Sequence, residues 1–159
     1  MSSPLSVLEW LSNTSTISAI RESGFAMPAV QAMHLMGLTI LLAAILVLHL
    51  RLAGASITEW SLPAMERQLR PWAFAGLTLV MVSGALMFLA NPTKYLASGP
   101  FLYKLSALGL AVTCQFGVFR RFFACDPRLR PRAVNVTVAA LSLTLWFSVG
   151  WAGRAIAFL

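Results

Sequence analysis

Two histidines are the side chains of this sequence best suited to hold a cofactor or move a proton, and both fall in one long apolar run. His34 lies roughly two helical turns inside the run and His49 close to its far end. They are fifteen residues apart, which is about 22 Å along a helix and about 60° around it. The two axial ligands of a haem sit on opposite sides of one iron, about 4 Å apart. One chain therefore cannot supply both from His34 and His49, and it has no third histidine. His34 can pair with a methionine from another span, with water, or with His34 of a second copy. Met81 and Met87 are candidates by type, and depth favours Met87. The plainer expectation for His34 is a hydrogen bond to Gln31, Ser83 or Thr39. For His49, beside Arg51, it is simple reach to the nearby membrane interface.

Other polar groups gather at the depth of His34: Arg21, Glu22, Gln31, Tyr95, Tyr103, Lys104 and Arg154. Arg21, Lys104 and Arg154 are suited to haem propionates or a quinone headgroup through charge-assisted hydrogen bonds. They are equally suited to snorkel to water, with Glu22 pairing to Arg154 or Lys104. No Gly-rich phosphate loop, His-Glu-x-x-His or nucleophile elbow is present. The five acids, Glu9, Glu22, Glu59, Glu66 and Asp126, all fall outside the expected spans. That argues against a proton-coupled transporter, which usually needs an acid inside the membrane.

These residues must be positioned by helices in lipid. Of 159 residues, 58% are hydrophobic and only 11% charged, with mean hydropathy +0.78. A soluble domain carries about a quarter charged residues. The expected fold is all-α, a polytopic four-helix bundle spanning 27–52, 69–90, 101–123 and 132–158, because lipid leaves no backbone group unpaired. Residues 26–159 form the transmembrane domain. Residues 1–25 form an N-terminal segment of short interfacial helices, with Trp10 at headgroup depth. That segment lacks the apolar core of a cleavable signal, so the first span is expected to target the chain. Pro28, Pro71 and Pro131 suit helix starts, and Asn91-Pro92 suits a stop. Cys114 and Cys125 read as free thiols.

Eight of the twelve cations, Arg51, Arg67, Arg70, Arg120, Arg121, Arg128, Arg130 and Arg132, fall at one end of the spans. Arg21, Lys94, Lys104 and Arg154 fall at the other. The positive-inside rule makes the arginine-rich end cytoplasmic and puts both termini outside an inner membrane. The net charge of +7 then reflects topology and anionic lipid headgroups, not nucleic acid. Small residues recur at helix-packing spacing: Gly109, Thr113 and Gly117; Gly76 and Gly84; Gly150 and Gly153. They permit a homo-oligomer or a larger membrane complex. Leu69-Arg70-Pro71-Trp72-Ala73 and Leu129-Arg130-Pro131-Arg132-Ala133 look alike, most simply because two helices start on the same side with Arg and Pro.

Ile20-Arg21-Glu22-Ser23, His34-Leu35-Met36-Gly37, His49-Leu50-Arg51-Leu52-Ala53-Gly54, Arg70-Pro71-Trp72-Ala73 and Ala152-Gly153-Arg154 together resemble a bacterial four-span family of unknown function, over nearly the whole chain. More distantly, His34, Gly84 and Lys104-Leu105 resemble the copper-resistance protein D and HemJ-type protoporphyrinogen oxidase bundles. That likeness implies a b-type haem held by His34, with Lys104 as the third-span lysine. Those bundles carry a further third-span histidine where this chain reads Cys114-Gln115-Phe116-Gly117. The expected function is a small membrane subunit of a redox system. It would bind b-type haem or quinone near the outer face through His34, Gln31, Met87, Arg21, Lys104 and Arg154, with His34 on the haem iron. The competing expectation is a cofactor-free anchor or accessory subunit.

Overall fold

The computed structural model describes residues 4–55 and 60–156, so Glu59 and the end of the fourth span lie outside the described residues. Two short helices, α1 (Pro4–Ser12) and α2 (Ser15–Glu22), precede the first long helix, α3 (Ala26–Leu52). Then come α4 (Leu62–Ala90), the short α5 (Pro92–Leu96) and α6 (Gly99–Thr113). A π-helical turn, Cys114–Val118, links α6 to α7 (Arg120–Phe123) within one continuous span. A 3₁₀ turn at Pro127–Leu129 leads into α8 (Arg132–Ile156). There is no strand among the described residues. Four helices are long and apolar enough to cross a membrane: Ala26–Leu52, Leu62–Ala90, Gly99–Phe123 and Arg132–Arg154. The exterior is that of a chain solvated by lipid. Leu35, Leu110, Leu141 and Phe147 are exposed along the spans, while Trp60 and Trp151 are exposed at span ends and Trp10 on α1, where an aromatic belt places them.

The expected start of the second span needs correction. The helix begins at Leu62, not near residue 69. Ser61 Oγ accepts from the Ala64 amide at 3.4 Å, and Pro63 fills the first turn. Leu62 and Met65 are buried against Leu52 and Phe123, and this packing extends the helix past its most apolar stretch. Pro71 therefore lies inside α4, whereas Pro131 immediately precedes α8. The two Arg-Pro motifs are not used alike. In the second of them Arg130 acts as a cap: its guanidinium donates to the Phe122 and Arg121 carbonyls at 3.2 Å each, at the open end of the third span.

The helices pair unequally. α3 and α4 run antiparallel in closest contact, and α6 packs mainly on α8. The α3/α4 seam closes over glycine. A Cβ on Gly76 would stand 2.7 Å from the Leu41 amide nitrogen, and one on Gly37 would stand 3.0 Å from the Gly76 carbonyl oxygen. Such backbone approach is how helices associate in lipid, where apolar side chains gain nothing by leaving solvent. Between α4 and the third span the spacing is filled by rings instead. Phe74 stacks on Phe116 at 4.6 Å and Phe88 on Phe101 at 5.4 Å. The core between these seams holds Leu41, Ala44, Ile45, Ala107, Ala111, Trp146 and Val149.

Candidate functional site

The antiparallel α3/α4 register places His34 beside Ser83, one turn outward from Gly37 and Val80. His34 Nδ1 lies 3.0 Å from Ser83 Oγ. Ser83 is fully buried, and its hydroxyl also contacts the Leu79 carbonyl at 2.5 Å. A serine hydroxyl has one proton to donate. With that proton on Leu79, Nδ1 must carry the hydrogen and donate to Oγ. Nε2 is then the unprotonated nitrogen, its lone pair open to a metal or a hydroxyl proton. Gly84 lets the ring lie flat on α4, since a Cβ there would stand 3.3 Å from His34 Cε1.

From the opposite helix pair comes Lys104 of α6. Its chain crosses Gly153 of α8, where a Cβ would stand 3.2 Å from Nζ. The ammonium is near enough for its charge to act on the imidazole, and it forms no ion pair with a described carboxylate. The site thus joins all four spans: His34, Ser83 with Gly84, Lys104 and Gly153. Of the other expected residues, Arg21, Gln31 and Arg154 are exposed at the same end. Met87 is half-buried, one turn outward from Ser83 on the same face of α4. Met81 is 52% exposed and, two residues before Ser83, points to the other side of its helix. At this end Tyr95 packs on Phe88 and Phe101, and burial pushes its phenol above the ordinary range.

The residues fit one nitrogen ligand to a haem iron, or one acceptor for a quinol hydroxyl. The α4 side of the ring is closed by Ser83 and Gly84, so a ligand must approach Nε2 from the side away from α4. The only other histidine, His49, lies at the opposite end of α3. No group of three or more His, Cys, Asp or Glu suited to a metal ion exists among the described residues.

His49 does not reach the interface as expected: it is fully buried. Its Nδ1 donates to the Ile45 carbonyl at 2.7 Å, and Phe119 and Phe123 meet it edge-on at 6.2 and 5.2 Å. Nε2 has no partner. An orphaned buried polar atom costs about 1–3 kcal/mol, and the Ile45 carbonyl keeps its helical bond without the ring. His49→Leu is therefore expected to raise the melting temperature of the detergent-solubilised protein. A lower melting temperature would show that Nε2 has a partner after all.

One feature at the arginine-rich end was not anticipated. The π-turn buries Gln115, which accepts from Ser142 Oγ at 3.3 Å, and Glu66 of α4 faces the same region. Placing every acid outside the spans was thus too simple, since Glu66 lies in the second turn of α4 with its side chain only 18% exposed, 3.8 Å from Arg70 Nε. A lone glutamine in an apolar run was the available signal.

Fold and site together define an all-α polytopic membrane protein with a polar cluster linking its four spans near one end. Residues 7–159 match a family of unknown function (DUF6644), and the chain belongs to that family. No curated protein and no solved structure matches it.

Proposed function

We propose that this protein is a small membrane subunit of a redox system that binds b-type haem or quinone at His34. The observation that carries the reading is the geometry of Ser83, whose Oγ lies 3.0 Å from Nδ1 and on the Leu79 carbonyl; this puts the hydrogen on Nδ1 and leaves the Nε2 lone pair open, with the Lys104 ammonium nearby. When bound, haem would supply one-electron chemistry and quinone two-electron chemistry. His34 Nε2 would ligate the iron or accept the quinol proton. Lys104 would donate to a propionate or a quinone carbonyl, with Arg21, Arg154 and Gln31 at the rim and Met87 one turn away. The three positions that carry the likeness to HemJ-type bundles, His34, Gly84 and Lys104, are all drawn into this cluster, which supports the haem version. By the positive-inside rule the site lies near the outer face of a bacterial inner membrane, with both termini outside.

The test is a visible spectrum of the purified protein from haem-replete cells, oxidised and then dithionite-reduced, beside His34→Ala. A Soret band with sharp reduced bands, lost in His34→Ala, is the expected result for haem. One haem per two chains would indicate His34 pairing across a dimer. A colourless protein that also leaves quinone reduction unchanged on His34→Ala would overturn the reading.

A second reading, a cofactor-free anchor or accessory subunit, is favoured by one specific observation. A Cβ on Gly109, Gly117 or Gly150 would meet nothing within 4 Å. Those small-residue surfaces are unfilled within the chain and suit packing by another copy or a larger complex. Stoichiometric co-purification with partners, without a chromophore, would select this reading.

A further inference from the structure

A second site lies at the opposite end of the bundle from His34. A cavity of about 150 Å³ opens between α4 and the third span, lined by Glu66, Arg70, Phe74, Gln115, Phe116 and Arg120. Its walls are aromatic, and Phe74 and Phe116 are stacked. Its polar groups lean toward donors. Arg70 is only loosely paired, with Nε 3.8 Å from the Glu66 carboxylate. Arg120 has no carboxylate within ion-pair distance among the described residues. Gln115 is 95% buried, being 5% exposed. One end of its amide meets Ser142, and the other has no hydrogen-bond partner among the described residues and borders the cavity. The amide nitrogen opens onto the cavity and can donate to a ligand oxygen there.

On the outer side of the same span a shallower groove of about 330 Å³ shares Phe116 and Arg120 and adds Gly117, Arg121 and Ala124. Gly117 and, farther toward the apolar middle, Gly109 leave the surface bare of neighbouring side chains. An anionic group at the arginines would therefore have an apolar track leading away from it into the membrane. Two guanidinium forks and an amide match the oxygens of a phosphate, and the track matches an acyl chain.

We propose that this cavity and groove form a site for an anionic phospholipid. Its phosphodiester contacts Arg70, Arg120 and the free end of Gln115, and an acyl chain lies over Phe116 and Gly117. The assignment is independent of any cofactor at His34. It differs from general attraction of basic loops to anionic lipid in requiring these residues rather than the loop charge as a whole.

Native mass spectrometry of the full chain in detergent tests it, with phosphatidylglycerol, phosphatidylcholine and inorganic phosphate as probes. One phosphatidylglycerol per chain is expected to survive detergent release, with phosphatidylcholine failing to replace it. Gln115→Leu and Arg120→Gln should each lower occupancy roughly tenfold or more, as for loss of a hydrogen bond to a charged group. Arg120→Lys should restore part of it. Arg128→Gln removes the same charge from an exposed position outside the cavity and should change nothing. If Arg128→Gln lowered occupancy as much as Arg120→Gln, or phosphatidylcholine bound equally well, the site would be overturned. If millimolar inorganic phosphate displaced the lipid, the ligand would be a soluble phosphate and the lipid assignment would fail. Should Arg120→Gln lose helix content by circular dichroism, Gln115→Leu decides alone.

Discussion

With His34 holding haem or quinone as proposed, Ser83→Ala will weaken that binding by roughly 10- to 100-fold while leaving the bundle folded, the usual cost of removing the outer partner of a ligating histidine. The hydroxyl performs two tasks. It holds the ring against α4 through Nδ1 at 3.0 Å, and its own proton is fixed on Leu79. Alanine removes both. Nδ1–H is left with only the Val80 backbone as acceptor, the ring is held less firmly, and the proton can move to the nitrogen that should stay bare. The fold loses little, because the Leu79 carbonyl remains in its helix. Titration of haem or quinone into the purified variant reads the affinity, and a thermal melt reads the fold. Unchanged affinity would mean that Ser83 does not orient His34.

Gly76→Ala will destabilise the protein by about 1–3 kcal/mol, the range for forcing extra volume into a filled contact. The atoms a Cβ would strike, the Leu41 amide nitrogen and the Gly37 carbonyl at 2.7 and 2.9 Å, are backbone. They can yield only if α3 and α4 move apart. Gly84→Ala meets a side chain, the His34 ring at 3.3 Å, which can shift by a few tenths of an ångström. Its stability cost should be smaller and its effect on affinity for the ligand proposed at His34 larger. Gly109→Ala meets nothing within 4 Å, and alanine's better helix propensity should make it neutral or stabilising by up to about 1 kcal/mol. Unfolding in denaturing detergent ranks the three. An equal loss at Gly109 and Gly76 would refute the account of the seam.

The helix content was legible in the sequence because lipid removes alternatives: an apolar run of this length has to pair its own backbone. Two short helices before the first span, the ends at Leu52 and Ala90 and the grouping of His34 with Lys104 all agree with that reading. Ser83 was among three partners the sequence allowed for His34, and spacing alone could not choose, since the choice depends on the glycine crossing of α3 and α4. The early start of α4 was hidden because Leu62 and Met65 extend the helix by packing on other segments, not by propensity. His49 was misplaced for a related reason. Arg51 two residues on suggested water, but the side chains of the third span cover it. The π-turn has no sequence signature of its own, and Gln115 was the sole hint that something polar was needed there.

That π-turn has a consequence for how residues can be counted along the third span. Phe119 N bonds the Cys114 carbonyl at 2.8 Å, five residues back rather than four. The turn holds one residue more than an α-helix would. Removing that residue would rotate everything beyond it by about 100°. Arg120 would swing out of the cavity, and Phe119 and Phe123 would leave the His49 ring. The internal cover of His49 and the phosphate-facing arginine thus both depend on a single extra position in the chain. A relative one residue shorter between Gly109 and Phe123 would be no simple trim of this protein, because its third helix would present a different face to the rest of the bundle.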